Sequence, residues 1–219
     1  MTRKLLAEFI GTAMLLIGVV GSGIMAQNMS GGNDGLALLA NAIATGAMLY
    51  VIITTLGPVS GAHFNPAVTL AFTLRGEHPV GQALPYMVVQ IVGGILGVWF
   101  THLMFDLTIL QTSTHDRTGI ALWSSEIFAT FGLLFVIFGG IKHKPDTVPT
   151  LVALYITGAY WFTSSTSFAN PAVTIARGLS DTFAGINPAH VVMFIVMQII
   201  GVGVAAVVLP MLFTDENQS

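Results

Sequence analysis

The pentapeptide Asn-Pro-Ala-Val-Thr occurs twice, at 65–69 and at 170–174, each time shortly after a long apolar segment. Asn is a strong helix N-cap, and Pro is favoured at the first helical position. Each copy therefore predicts the abrupt start of a short helix, Pro66 to about Leu74 and Pro171 to about Arg177. Neither is long enough to cross a bilayer, which takes roughly 20 apolar residues. Half-length helices at matching places in a duplicated membrane chain point to a binding site or pore at the midplane.

The remainder of the chain reads as membrane helices. Apolar residues make up 54% of the 219 and charged residues 8%, against about 25% charged in a soluble domain. Six apolar segments are predicted to span: Leu5–Ala26, Leu36–Leu56, Val80–Met104, Leu122–Ile141, Pro149–Phe162 and Pro188–Phe213. The fifth is short as drawn and is expected to run on into Ser164–Ser167. An even number of spans puts both termini on one face. Arg3, Lys4, Arg75, Lys142 and Lys144 share that face, and Arg117 and Arg177 lie on the other. The positive-inside rule then makes the first face cytoplasmic and the location the inner (plasma) membrane. The chain has no cysteine, hence no disulfide framework, thiol nucleophile or Cys-based metal site. A net charge of −3 argues against a nucleic-acid partner.

Arg3 and Lys4 before an apolar run could mark a secretory signal. The run is long for that purpose, it contains Glu8, and its pattern returns in mid-chain. Glu8-Phe9-Ile10-Gly11-Thr12 is echoed by Glu126-Ile127-Phe128-Ala129-Thr130, Asn65 by Asn170, and Gln90 by Gln198. The chain therefore divides into a first repeat, 1–105, an inter-repeat loop, 106–121, and a second repeat, 122–219, within one membrane domain. Each repeat holds three spans. An odd number inverts the second repeat, so the two short helices enter from opposite faces. The expected class is an all-α membrane protein with six transmembrane helices, two half-helices and an inverted 3+3 repeat.

Ala7-Glu8-Phe9-Ile10-Gly11-Thr12, Ser60-Gly61-Ala62-His63-Phe64-Asn65-Pro66-Ala67-Val68-Thr69 and Asn170-Pro171-Ala172 resemble the aquaporin, or major intrinsic protein, family over nearly the whole chain. The resemblance implies a narrow pore in each subunit and, commonly, a homotetramer. It also implies that Glu8 and Glu126 are buried structural acids that accept hydrogen bonds from loop amides beside the half-helices.

The half-helices carry the expected chemistry. Each Asn oxygen caps the first turn, leaving the amide NH₂ as a donor into the lumen. Asn65 and Asn170 would pair such donors at the centre, where two positive helix ends disfavour cations. A water accepting from both is turned oppositely to its neighbours, which breaks a proton-hopping chain. The unwound stretches Gly61–Phe64 and Ser167–Ala169 would supply carbonyl acceptors, since irregular backbone is tolerated where it lines a cavity. A third Asn-Pro-Ala, at 187–189, opens a full-length span and reads as plain capping. His63 reads as a structural or pore-lining side chain, without a second His or acid at ligand spacing. Gly93, Gly94, Gly97, Gly201 and Ala205 read as close helix contacts.

The chain also departs from the family it resembles. Family members usually carry Arg directly after the second Asn-Pro-Ala, as part of the selectivity filter. Here the residue is Val173, with Arg177 one helical turn deeper along the half-helix or on its back face. A gap-free count back places the other filter positions at Thr45 and Gly158, with Ser167 in the loop. Such a filter is wide and carries no fixed charge. It resembles a set of bacterial aquaglyceroporin-like channels, some linked to arsenic species. The expected function is a passive channel for small neutral polar solutes: water, glycerol-like polyols, and uncharged arsenite or methylated arsenic. The alternative is a proton-coupled transporter with broken helices, for which Glu8 and Glu126 would have to titrate. No cofactor, resident metal or enzymatic activity is expected.

Overall fold

The computed structural model of the chain describes residues 2–213. Met1 and 214–219, on which the placement of both chain ends depends, lie outside the described residues. Among the described residues all regular structure is helical. In order the elements are α1 (Arg3–Met29), α2 (Asp34–Ser60), α3 (Pro66–Leu74), α4 (Val80–Met104), α5 (Ile120–His143), α6 (Val148–Phe162), α7 (Pro171–Arg177) and α8 (Pro188–Phe213). Helices α1, α2, α4, α5 and α8 are each long and apolar enough to cross a membrane. Helix α6 has 15 residues and is entered through a 3₁₀ turn at Pro145–Thr147. At 1.5–2.0 Å per residue the two together reach about 28 Å, close to the hydrocarbon thickness.

The expected extension of the fifth span into Ser164–Ser167 does not occur. Helix α6 stops at Phe162, and the chain turns into irregular backbone up to Asn170. Thr166, Ser167 and Ala169 have φ of 63°, 53° and 47°, left-handed values that a continuing helix does not allow. The missing length lies at the other end, in the Pro145–Thr147 turn.

Close packing of small residues holds the helices together. A Cβ on Gly93 would overlap the Phe9 carbonyl, and one on Gly97 the Ala13 carbonyl. In the second half a Cβ on Gly201 would come within 2.7 Å of the Ile127 carbonyl. The first and third crossing helices of each half thus meet backbone to backbone, α1 on α4 and α5 on α8, while α2 packs on α6. Ile43, Leu154 and Val207 remain exposed, as lipid contact requires.

One helix is locally rewound. Ile17–Gly21 within α1 is π-helical, and the Asn41 amide of α2 donates to the Val19 carbonyl at 2.8 Å. The Val19 carbonyl also accepts from the Ser22 amide, so Asn41 adds a second donor to it from the neighbouring helix.

The loop between α4 and α5 folds over the far end of α7. The Ser113 amide donates to the Gly178 carbonyl at 3.0 Å, and the Asn187 amide to the His115 carbonyl at 2.7 Å. The Thr114 amide and hydroxyl both donate to Asp181 Oδ1, at 2.7 and 2.9 Å. These bonds hold the Asp181 carboxyl below the usual carboxylate range. Asn187 caps α8, its Oδ1 accepting from the Ala189 amide at 3.0 Å, as its position before a full-length span suggests.

Candidate functional site

Helices α3 and α7 start beside one another in the middle of the molecule. Asn65 Oδ1 accepts from the Ala67 amide at 2.8 Å, and Asn170 Oδ1 from the Ala172 and Val173 amides at 2.9 and 3.3 Å. The amide NH₂ groups are not wholly free, contrary to the sequence expectation. Asn65 Nδ2 donates across to the Ala169 carbonyl at 2.7 Å, and Asn170 Nδ2 to the Phe64 carbonyl at 2.9 Å. A primary amide has two N–H donors. One from each Asn laces the two loops together and the second remains available. Both Asn side chains border a cavity of about 120 Å³. Pro66, Ala67, Pro171 and Ala172 are buried behind them as the first helical residues.

Each entering loop is anchored on a fully buried carboxylate. Glu8 Oε1 accepts from Ser60 Oγ at 2.6 Å and the His63 amide at 3.0 Å. Its Oε2 accepts from the Phe64 amide at 2.7 Å and Gln90 Nε2 at 2.8 Å. Glu126 repeats the pattern with Ser165 Oγ at 2.6 Å, the Phe168 and Ala169 amides at 2.9 Å each, and Gln198 Nε2 at 2.7 Å. Four donors per carboxylate satisfy its acceptor sites, which makes a buried acid tolerable. They also hold a strained backbone: Ala62 and Phe64 sit at φ of 52° and 49°, left-handed values that cost about 1–3 kcal/mol each outside glycine.

Gly61, Ala62, His63 and Phe64 line the cavity on the α3 side. His63 Nδ1 lies 3.1 Å from Thr69 Oγ1, and its ring stacks on Phe72 with centroids 4.7 Å apart. Sequence spacing hides a neighbour here. The turn after α3 brings the His78 ring to within 5.2 Å of His63, edge to face. Among the described residues no group of three or more His, Cys, Asp or Glu is placed to hold a metal ion.

On the α7 side the cavity is lined by Thr45, Tyr160, Ser167 and Val173. Ser167 Oγ is buried without a hydrogen-bond partner among the described residues. Gly158 is not part of this lining. The inward face of α6 runs through Val152, Ile156, Ala159 and Tyr160, and Gly158 lies off that face, nearest the Phe162 ring. Tyr160 stands at the cavity instead, its hydroxyl 3.3 Å from Thr45 Oγ1. The gap-free count named Gly158, two residues from Tyr160, because an all-apolar helix shows no periodicity from which to read a face.

Arg177 also borders the cavity, which sequence reasoning left open. Beyond it is a wider mouth of about 360 Å³ that includes Asp34, Asn41, His115 and Arg117. At the other end, a mouth of about 510 Å³ includes Lys4, Glu77 and His78. The molecule therefore has a smaller central cavity, a waist, between two openings of larger volume.

A family model described as Major intrinsic protein matches residues 1–164. The chain is 51% identical over 201 residues to aquaglyceroporin AqpS of Rhizobium meliloti (strain 1021), covering 92% of this chain and 86% of that protein. It is 32% identical over 199 residues to aquaporin PIP2-7 of Arabidopsis thaliana, covering 86% and 67%. The X-ray structure of the aquaglyceroporin from Plasmodium falciparum superimposes with a TM-score of 0.77 over 96% of this chain and 98% of that one, at 18% identity. With this likeness, and with two half-helices meeting at a waist between two mouths, the chain belongs to the major intrinsic protein family and is a multi-pass membrane channel, not an enzyme.

Proposed function

We propose that the channel passes water together with larger uncharged, oxygen-bearing solutes: glycerol-like polyols and uncharged arsenite or methylated arsenic species. The observation that carries this reading is Val173 on the lumen. It lies one turn along α7 from Asn170 and presents an apolar branch among the hydroxyls of Thr45, Tyr160 and Ser167. An arginine there would add bulk and charge at the same height. The mixed lining gives a solute polar contacts on one side and an apolar surface on the other. The roughly 50% identity to aquaglyceroporin AqpS supports the same class of solute.

In this reading Asn65 and Asn170 orient a passing oxygen, and Pro66, Ala67, Pro171 and Ala172 seat the two half-helices. Gly61–Phe64 offer backbone along the α3 side, and Glu8 and Glu126 are structural. The chain works as a homotetramer in the inner (plasma) membrane with both ends in the cytoplasm. Arg3, Lys4, Arg75, Lys142 and Lys144 on one face against Arg117 and Arg177 on the other support that orientation.

The test is stopped-flow light scattering on proteoliposomes with water, glycerol, urea and arsenite, for the parent and for Val173→Arg. The parent should pass glycerol and arsenite well above protein-free vesicles. The variant should keep most of its water flux while glycerol falls about tenfold, since bulk excludes larger solutes first. Parent vesicles passing water alone would overturn the solute assignment.

A further inference from the structure

With Val173 on the lumen, the cations nearest the pore stand further out. Among the residues lining the waist and the α7-side mouth, Arg177 alone borders both. It is 3% exposed. Its Nε donates to the Ala184 carbonyl, and its guanidinium lies over the Phe168 ring, 3.5 Å from the centroid. The Phe168 amide is held by Glu126, and its buried ring packs edge to face on Phe194 with centroids 5.1 Å apart. Arg117 reaches the same ring from the α4–α5 loop at 5.2 Å, its Nε donating to the Gly185 carbonyl at 2.8 Å.

Two guanidiniums beside one aromatic ring each gain from its π-face, but they repel one another. Among the described residues neither has a carboxylate oxygen within 4 Å. Asp34 of α2 borders the same mouth without pairing with either. The terminal Nη groups of both have no hydrogen-bond partner in the protein among the described residues. A plain structural pair would be neutralised and saturated with bonds. This one keeps its charge and its donors facing the route that a solute takes.

We propose that Arg177, reinforced by Arg117, is the charge-selecting residue of the channel. The barrier to cations and the donor fork for solute oxygens sit where the mouth enters the waist, one helical turn outward from Val173. Beneath them lies an uncharged section of Thr45, Tyr160, Ser167 and Val173. Charge exclusion and width are thereby separated: solutes too broad to pass beside an arginine at Val173 are still screened for charge at the entrance. This rests on the channel reading above.

The experiment uses full-length protein in liposomes, with water flux read by light scattering. Proton leak is read with an entrapped pH dye under a valinomycin clamp, and potassium leak separately, without valinomycin, with an entrapped potassium-sensitive dye. Parent protein that passes no water or glycerol defeats the channel reading itself, whatever its arginines do. Given flux, Arg177→Gln should raise leak relative to its own water flux about tenfold, and Arg117→Gln by a smaller factor of about three. Arg177→Lys should stay near the parent, since it keeps the charge. Arg177→Gln with Val173→Arg should restore exclusion. A folded Arg177→Gln protein, judged by size exclusion and thermal melting, whose leak matches the parent overturns the proposal. If that variant does not fold, an unchanged leak in Arg117→Gln overturns it equally.

Discussion

At the scale of single residues, the two asparagines do three tasks at once. Each oxygen caps a half-helix, one N–H crosses to the opposite loop, and the other borders the waist. Replacing Asn65 or Asn170 by Ala removes a cap, at about 1 kcal/mol, and strands a buried carbonyl, at about 1–3 kcal/mol. The expected destabilisation is about 2–4 kcal/mol per variant, measured by thermal melting in detergent. The two should be nearly equivalent, because the bonds are mirrored. Asn187→Ala should cost only a cap, since Asn187 sits at the start of a full-length helix and its amide reaches only Asp116 on the surface. Equal losses at Asn65, Asn170 and Asn187 would mean that the crossing bonds contribute nothing.

At the scale of elements, backbone contact between α1 and α4 is the tightest constraint. Gly97→Ala pushes a Cβ into the Ala13 carbonyl and main chain, and overpacking of that kind costs about 1–3 kcal/mol. Gly203, on α8, has nothing within 4 Å of its would-be Cβ, so Gly203→Ala should change melting by about 0.5 kcal/mol or less. Gly→Ala raises helix propensity at either position, so a loss at Gly97 comparable to any at Gly203 would show that close approach does not decide. These glycines were readable as contact residues because small residues at spacing of three or four mark close helix approach in lipid. Helix bounds were readable too: Val80–Met104 and Pro188–Phe213 are as drawn from the sequence, and both half-helices start at their prolines. Facing was not. Lipid-side and inner side chains of α6 are both apolar, so Tyr160 and Gly158 could not be ranked by pattern. The crossing amide bonds were hidden for another reason, since they join residues more than 100 positions apart. The His63–His78 contact depends on a turn whose course no spacing rule specifies.

At the scale of the whole molecule, the question is whether flux can be coupled to a second gradient. Alternating access with proton coupling needs a titratable group that changes partners between two states. Glu8 and Glu126 are the acids at membrane depth, and each already accepts from four donors held by loop backbone and by Gln90 or Gln198. Protonating either would set a carboxyl hydrogen against one of those donors and loosen the loop that shapes the waist. That arrangement serves rigidity, not turnover. His63 borders the waist as well, but its ring is held by Thr69 and stacked on Phe72, and it faces the α3-side mouth, not both. Glycerol flux in proteoliposomes should therefore follow the glycerol gradient alone. The initial rate should be equal for inward and outward gradients of the same size. A tenfold proton gradient of either sign should shift that rate by no more than about a quarter, and at equilibrium the internal concentration should match the external one. The measurement is radiolabelled glycerol uptake with and without a protonophore. Accumulation above the external concentration that the protonophore abolishes would show a coupled transporter built on a channel-like fold.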